Sequence, residues 1–159
     1  MPGLQITPTD ATLGAFVTGV VLAELSEADW RTLHLAWLQY GVLVFPGQHL
    51  SHAQQIAFAR RFGAIEQIGG GDIFALSNLK ADGTVRQCAP GEWDDMMKII
   101  VGNMAWHADS TYMPVLAKGA VFSGEVVPGS GGETGFADMR ADYDALDDAT
   151  RSLVHQRSA

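Results

Sequence analysis

Cysteine is nearly missing from this chain. Cys88 stands alone among 159 residues, so no internal disulfide can form, and a reducing compartment, the cytoplasm, is the expectation. Basic side chains are scarce as well. Ten Lys and Arg face eighteen Asp and Glu, giving a formal net charge of −8 at pH 7, which repels a polyphosphate backbone and argues against a nucleic-acid partner. The first basic residue is Arg31, so the charged n-region of a secretory signal is not expected. The apolar stretch LGAFVTGVVLAEL (13–25) is interrupted by Gly14, Thr18, Gly19 and Glu24. It is too short to cross a bilayer, reads as strand, and leaves no expectation of a membrane partner. There is no GxSxG elbow, no GxxxxGK[ST] and no GxGxxG opening a helix, and Cys88 has no cysteine neighbour or electropositive setting. Those absences argue against an elbow-type hydrolase, a P-loop nucleotide site, a dinucleotide fold and thiol catalysis. Repeats, low-complexity tracts and linkers rich in Pro, Ser or Gly are also missing, so residues 1–159 are read as one domain.

What is present is an ordinary globular composition, 47% hydrophobic and 18% charged. SEADWRTLHLAWLQYG (26–41) has Ser26 as N-cap, Asp29 three residues later, Trp30, Leu33, Trp37 and Tyr40 at helical spacing, and Gly41 as a stop. His34, among those apolar residues, reads as a packed or surface histidine. VLVFPG (42–47) is short, apolar and closed by Pro-Gly, which predicts a buried strand. SHAQQIAFARRFG (51–63) opens on a Ser51/Gln54 capping box and predicts a second helix, with Arg60 and Arg61 on its solvated side. DIFALSNLKADGTVRQ (72–87) predicts a hairpin around ADGT, and PGEWDDMMK (90–98) a polar loop. IIVGN (99–103) and KGAVFSGEVV (118–127) read as strands, and ADYDALDDATRSLV (141–154) as an acidic helix. Two early helices followed by strands and turns give an α+β class dominated by antiparallel sheet.

The chemistry gathers in NMAWHADSTY (103–112), where His107 and Asp109 stand two positions apart. In a strand, residues i and i+2 point to one face, so the two side chains can meet a single ion. The plain alternative is a polar strand end, with the imidazole hydrogen-bonded to the carboxylate and Trp106 packed beside it. Structural zinc would want thiolates, of which the chain has one. An imidazole and a carboxylate with open positions suit non-haem Fe(II), where a second histidine completes a facial triad. Downstream, GSGGETGFADMR (129–140) sets Thr134 beyond a glycine pair, at a predicted hairpin where its hydroxyl can donate to an anion approaching the metal. By itself it is equally a turn residue.

With these residues in view, the chain resembles the taurine dioxygenase and 2,4-dichlorophenoxyacetate dioxygenase family of Fe(II)- and 2-oxoglutarate-dependent oxygenases. The likeness rests on VLVFPGQHLSHAQQIAFARRFGAIE (42–66), WHADSTY (106–112) and VVPGSGGETGFADMRADYDAL (126–146), in the family's order. SNLKADGTV and GFADMRADYDAL are nearer to the phenoxyacetate branch. The resemblance implies a double-stranded β-helix, a cupin-like jelly roll with flanking N-terminal helices. It makes His107 and Asp109 catalytic iron ligands, and Thr134 the hydroxyl that contacts 2-oxoglutarate. Asn103 is expected to face the cosubstrate or substrate, and Trp106 to be a packing residue. The implied cofactors are Fe(II), 2-oxoglutarate and O2, and the implied reaction hydroxylates a small acidic substrate, aryloxyalkanoate-like or related, with release of succinate and CO2.

The same resemblance implies a third ligand, a distal histidine, and an arginine for the 2-oxoglutarate carboxylate, both beyond the residues present. The jelly roll is therefore expected to be incomplete at its C-terminal side, an N-terminal portion whose open sheet edge favours a homo-oligomer. His155 matches at best a histidine outside the triad, and His49 and His52 read as surface or capping residues. Two rival readings stay open: a noncatalytic, oligomerising sheet module, and a cupin-type metalloprotein that uses another metal.

Overall fold

The computed structural model describes residues 3–67 and 70–157. Its backbone falls into two compact units, one formed by Met1–Leu50 with Gly124–Ala159 and the other by Ser51–Ser123.

The first unit is built on a strand–helix–strand crossover. Strands β1 (Gln5–Pro8) and β2 (Ala15–Thr18) pair antiparallel, with Gln5 opposite Thr18 and Pro8 opposite Ala15. Thr9 closes their connection, its hydroxyl donating to the Leu13 carbonyl at 2.6 Å. Helix α1 (Glu27–Tyr40) follows a 3-10 turn at Leu22–Glu24, and it carries the chain to β3 (Leu43–Val44), which pairs parallel with β2. A parallel pair needs such a crossover, because a tight turn can join only antiparallel neighbours. Both ends of α1 are fixed by the residues its sequence supplies. The Ser26 hydroxyl accepts from Asp29 N–H at 3.0 Å, and Gly41, at φ 72°, donates to the Trp37 carbonyl at 2.8 Å. Left-handed backbone of that kind is open to glycine without a Cβ penalty.

Apolar burial in this unit concentrates on Ala15, Val17, Leu22, Leu33 and Ala36. Leu33, 1% exposed, is worth about 1.5–3 kcal/mol as a fully buried side chain. Two long polar side chains tie the periphery. Gln48 donates to the Val20 carbonyl at 3.1 Å and accepts from Leu22 N–H at 2.9 Å. Arg140 donates to the Gln39 carbonyl at 3.1 Å while ion-paired to Asp138 at 2.9 Å, supplying a partner at the α1 C-terminus where carbonyls lack intrahelical donors. Arg140 lies in α4 (Met139–Asp144), and α5 (Asp148–Arg157) follows. There the Tyr143 hydroxyl meets His155 Nε2 at 2.5 Å.

The second unit holds α2 (His52–Ala59) and α3 (Asp95–Gly102). The Ser51/Gln54 capping box forms in both directions, at 3.3 Å and 2.8 Å. Phe58 and Met97 are buried, and Phe58 meets Phe62 edge-on at 5.5 Å. The expected hairpin is present in reduced form as a single antiparallel bridge, Leu79 opposite Val85, around a turn in which Lys80 N–H donates to the Thr84 carbonyl at 2.8 Å. Arg86, leaving that hairpin, pairs with Asp94 at the start of α3. Arg60 is exposed, as expected, and also pairs with Asp72 at 2.8 Å.

Several expectations are corrected. Residues 99–103 are not a strand but the end of α3 and its cap. The Asp94 side chain accepts from Met97 N–H at 2.9 Å and starts a helix inside the expected polar loop, overriding the β-branched run. The stretch 118–127 has no regular secondary structure, and β2 takes only Ala15–Thr18 of the strand expected over 13–25. Val44 is exposed, so β3 is not the fully buried strand expected. The helix expected over 141–154 is split in two, because Asp147 caps a fresh start by accepting from Thr150 N–H at 2.7 Å. Among the described residues the one sheet has three strands, ordered β1-β2-β3.

Candidate metal centre

The residues of interest follow α3 directly. Asn103 caps that helix, donating to the Ile99 carbonyl at 3.0 Å, and Met104 N–H donates to Val101 O at 3.2 Å. The chain then runs through Ala105 and Trp106 in a bend to His107, outside any strand. Strand alternation is therefore not what aligns His107 with Asp109. It also does not turn Trp106 inward: that ring is 76% exposed, so the expected packing role is not seen.

His107 and Asp109 are nonetheless brought together. Imidazole Nε2 lies 3.2 Å from Asp109 Oδ1, with side chains 42% and 58% exposed. The opposite ring nitrogen is committed, since Nδ1 lies 2.7 Å from the Ala105 carbonyl. A carbonyl oxygen only accepts, so Nδ1 carries the proton. In the neutral ring, Nε2 then presents a lone pair to a carboxylate oxygen. Two lone pairs at that separation repel unless a cation, either a proton or a metal ion, stands between them. Two donors at right angles, each about 2.1 Å from one metal ion, would be about 3.0 Å apart. The observed spacing fits such a pair, and a second-nitrogen hydrogen bond to a carbonyl is the usual way a ligating histidine is oriented.

The turn after the pair is held firmly. Ser110 has φ 58°, is 5% exposed, and donates from its hydroxyl to Glu66 Oε2 at 2.6 Å. Its carbonyl accepts from Met113 N–H at 3.0 Å. A left-handed non-glycine residue costs on the order of 1–3 kcal/mol and persists where its surroundings over-determine it. Neither Ser110 nor Glu66 was signalled by the sequence, since the partners are 44 positions apart and no motif spacing links them.

The remaining candidates are less defined. Thr134 belongs to the first unit, is exposed, and follows Gly131 and Gly132, whose φ values are 75° and 77°. The expected hairpin is not there, because residues 131–138 form no ladder. His49 and His52 are exposed, and His34 lies between Trp30 and Trp37 in tilted ring contacts at 5.4 and 5.8 Å. Among the described residues no group of three His, Cys, Asp or Glu is placed to hold a metal ion. Nor is any helix among them long and apolar enough to cross a membrane.

Residues 5–159 match the taurine catabolism dioxygenase TauD, TfdA family. The chain belongs to that family. Among its TauD/TfdA relatives, the (S)-phenoxypropionate/alpha-ketoglutarate-dioxygenase of Delftia acidovorans is 76% identical over 156 residues, 98% of this chain and 53% of the relative. The protein of the same description from Sphingobium herbicidovorans is 59% identical over 158 residues, 99% of this chain and 53% of the relative. A crystal structure of AAD-2 with Mn(II) and N-oxalylglycine superposes with a TM-score of 0.81 at 35% identity, covering 97% of this chain and 54% of that one. The chain thus spans about half the length of the curated TauD/TfdA relatives it matches.

Proposed function

We propose that the whole protein is an Fe(II)- and 2-oxoglutarate-dependent dioxygenase, hydroxylating an aryloxyalkanoate-like or related small acid, with His107 and Asp109 as two of its iron ligands. The observation that carries this is His107 Nε2 set 3.2 Å from Asp109 Oδ1, with Nδ1 turned to the Ala105 carbonyl at 2.7 Å. The family relatives named for phenoxypropionate and alpha-ketoglutarate support the substrate class and the cosubstrate. When bound, ferrous iron with 2-oxoglutarate and O2 supplies oxidative decarboxylation to succinate and CO2, coupled to hydroxylation of a substrate carbon. The chain's own residues hold and orient. His107 offers nitrogen in a fixed tautomer, Asp109 offers carboxylate oxygen, and Thr134 is proposed to donate its hydroxyl to the 2-oxoglutarate anion. Asn103, at the α3 terminus, is proposed to face cosubstrate or substrate. The resident fold is proposed to be one jelly-roll domain, in a protein acting in the cytoplasm.

The test uses the protein carried to the length of its relatives. With Fe(II), ascorbate and 2-oxoglutarate, addition of (S)-phenoxypropionate should raise succinate release in step with substrate hydroxylation. His107→Ala and Asp109→Ala should each lower that rate at least about a hundredfold, a typical scale for removing a group the reaction depends on. Undiminished turnover in either variant would remove the pair from the reaction.

A further inference from the structure

Ser110 is the buried polar residue among those described, and it lies directly after Asp109. Its position is hard to explain as loop filler. The chain departs from Asp109 through a left-handed residue, φ 58°, that is not glycine. At that residue the side chain reaches a carboxylate from a distant segment, Glu66, at 2.6 Å. That distance is in the range of charge-assisted O–H···O⁻ bonds. His107 is oriented by the Ala105 carbonyl, whereas Asp109 is half exposed and its direction depends on the backbone it stands on.

We propose that Ser110 and Glu66 are positioning residues, whose hydroxyl–carboxylate bond holds the left-handed turn that sets the Asp109 carboxylate against His107 Nε2. This rests on reading His107 and Asp109 as metal ligands. The bond spans 44 residues within the second unit, so it fastens the ligand loop to the segment following α2. Outer partners of this kind fix where a ligand points without touching the ion.

The experiment is a Co(II) titration of the protein followed by the visible d–d absorption of the bound ion, with far-UV circular dichroism as the folding control. Ser110→Ala and Glu66→Ala should each weaken Co(II) binding about tenfold to a hundredfold. The double variant should be no weaker than either single, since both changes remove one bond. Glu66→Gln, whose amide oxygen still accepts from the Ser110 hydroxyl, should bind close to wild type. Ser110→Gly, which takes up the left-handed turn freely, replaces Ser110→Ala if that variant does not fold, and should still lose affinity. Unchanged binding in the folded single variants, additive losses in the double, or a Glu66→Gln as weak as Glu66→Ala would each overturn the inference alone. A wild-type protein with no Co(II) band abolished by His107→Ala would overturn the metal reading beneath it.

Discussion

At the scale of single residues, the proposed centre depends on which imidazole nitrogen carries the proton. The Ala105 carbonyl answers that for His107, and the consequence is measurable without metal. Long-range 1H–15N spectra should show the neutral His107 ring protonated at Nδ1. The opposite tautomer would leave Nε2 unable to ligate and would make the contact with Asp109 an ordinary hydrogen bond. Sequence spacing found this pair for a reason that does not apply. Period-2 alternation was expected to align the two side chains, yet they meet across a bend in which Ala108 intervenes without any ladder. Residues i and i+2 share a side in several loop conformations, so the motif was legible where its geometry was not. Ser110 and Glu66 stayed invisible, since a contact between residues so far apart leaves no periodic trace in a single chain.

At the scale of elements, capping explains which helices were readable. Ser26 with Asp29 and Ser51 with Gln54 announce the starts of α1 and α2 through spacing alone, and both caps form, though α2 ends at Ala59 and not at the Gly63 that closes the expected segment. Helices α3 and α5 begin on aspartates inside polar, acidic stretches, where a cap is hard to distinguish from any other surface carboxylate. Those aspartates make the later helices sensitive to acid. The Met97 N–H, aided by Arg86, holds the Asp94 carboxyl below the usual aspartate range. The Arg140 guanidinium does so for Asp138, and the Thr150 N–H for Asp147. Each carboxyl is depressed in the folded chain, so its contribution is complete above the unfolded aspartate pKa of about 3.9. That contribution is lost as pH falls through the lower folded value. Protection of the Met97, Arg140 and Thr150 amides relative to their intrinsic exchange rates should therefore fall below that range, while Gln54, capped by the Ser51 hydroxyl, should not respond through its cap. Ser51→Ala should instead destabilise α2 by about 1 kcal/mol at any pH, read from chemical denaturation.

At the scale of the whole molecule, two features point in different directions. The first unit has a packed kernel, and Leu33→Ala should destabilise it by about 2–5 kcal/mol in urea unfolding, since it removes a fully buried side chain and leaves a cavity. Elsewhere large apolar side chains face solvent, Met104, Val115, Val126 and Val127 among them. Surface of that kind binds hydrophobic dyes and promotes self-association. The chain of 159 residues should accordingly enhance 8-anilinonaphthalene sulfonate fluorescence, and the protein carried to the length of its relatives should do so less. Equal enhancement would show that the remaining length leaves these side chains uncovered. A mixture of helix and sheet was legible from the two early helices and the strands around them, but not the expected dominance of antiparallel sheet: among the described residues five helices accompany one three-stranded sheet, one of whose two pairings is parallel. The jelly roll rested on the resemblance and not on local pattern, and KGAVFSGEVV, for all its strand-forming residues, joins no sheet among the described residues.

The β2–α1–β3 crossover has a further bearing on how the molecule comes apart. Gly14 and Ala15 donate to the Tyr40 and Val42 carbonyls, at 2.8 and 3.0 Å, on either side of the Gly41 reversal. The exit of the helix and the entry of the parallel strand are therefore latched at one point. Fraying of the last helical turn releases the strand, and stripping the strand exposes the turn. A probe attached at that corner would register a single concerted event rather than two gradual ones.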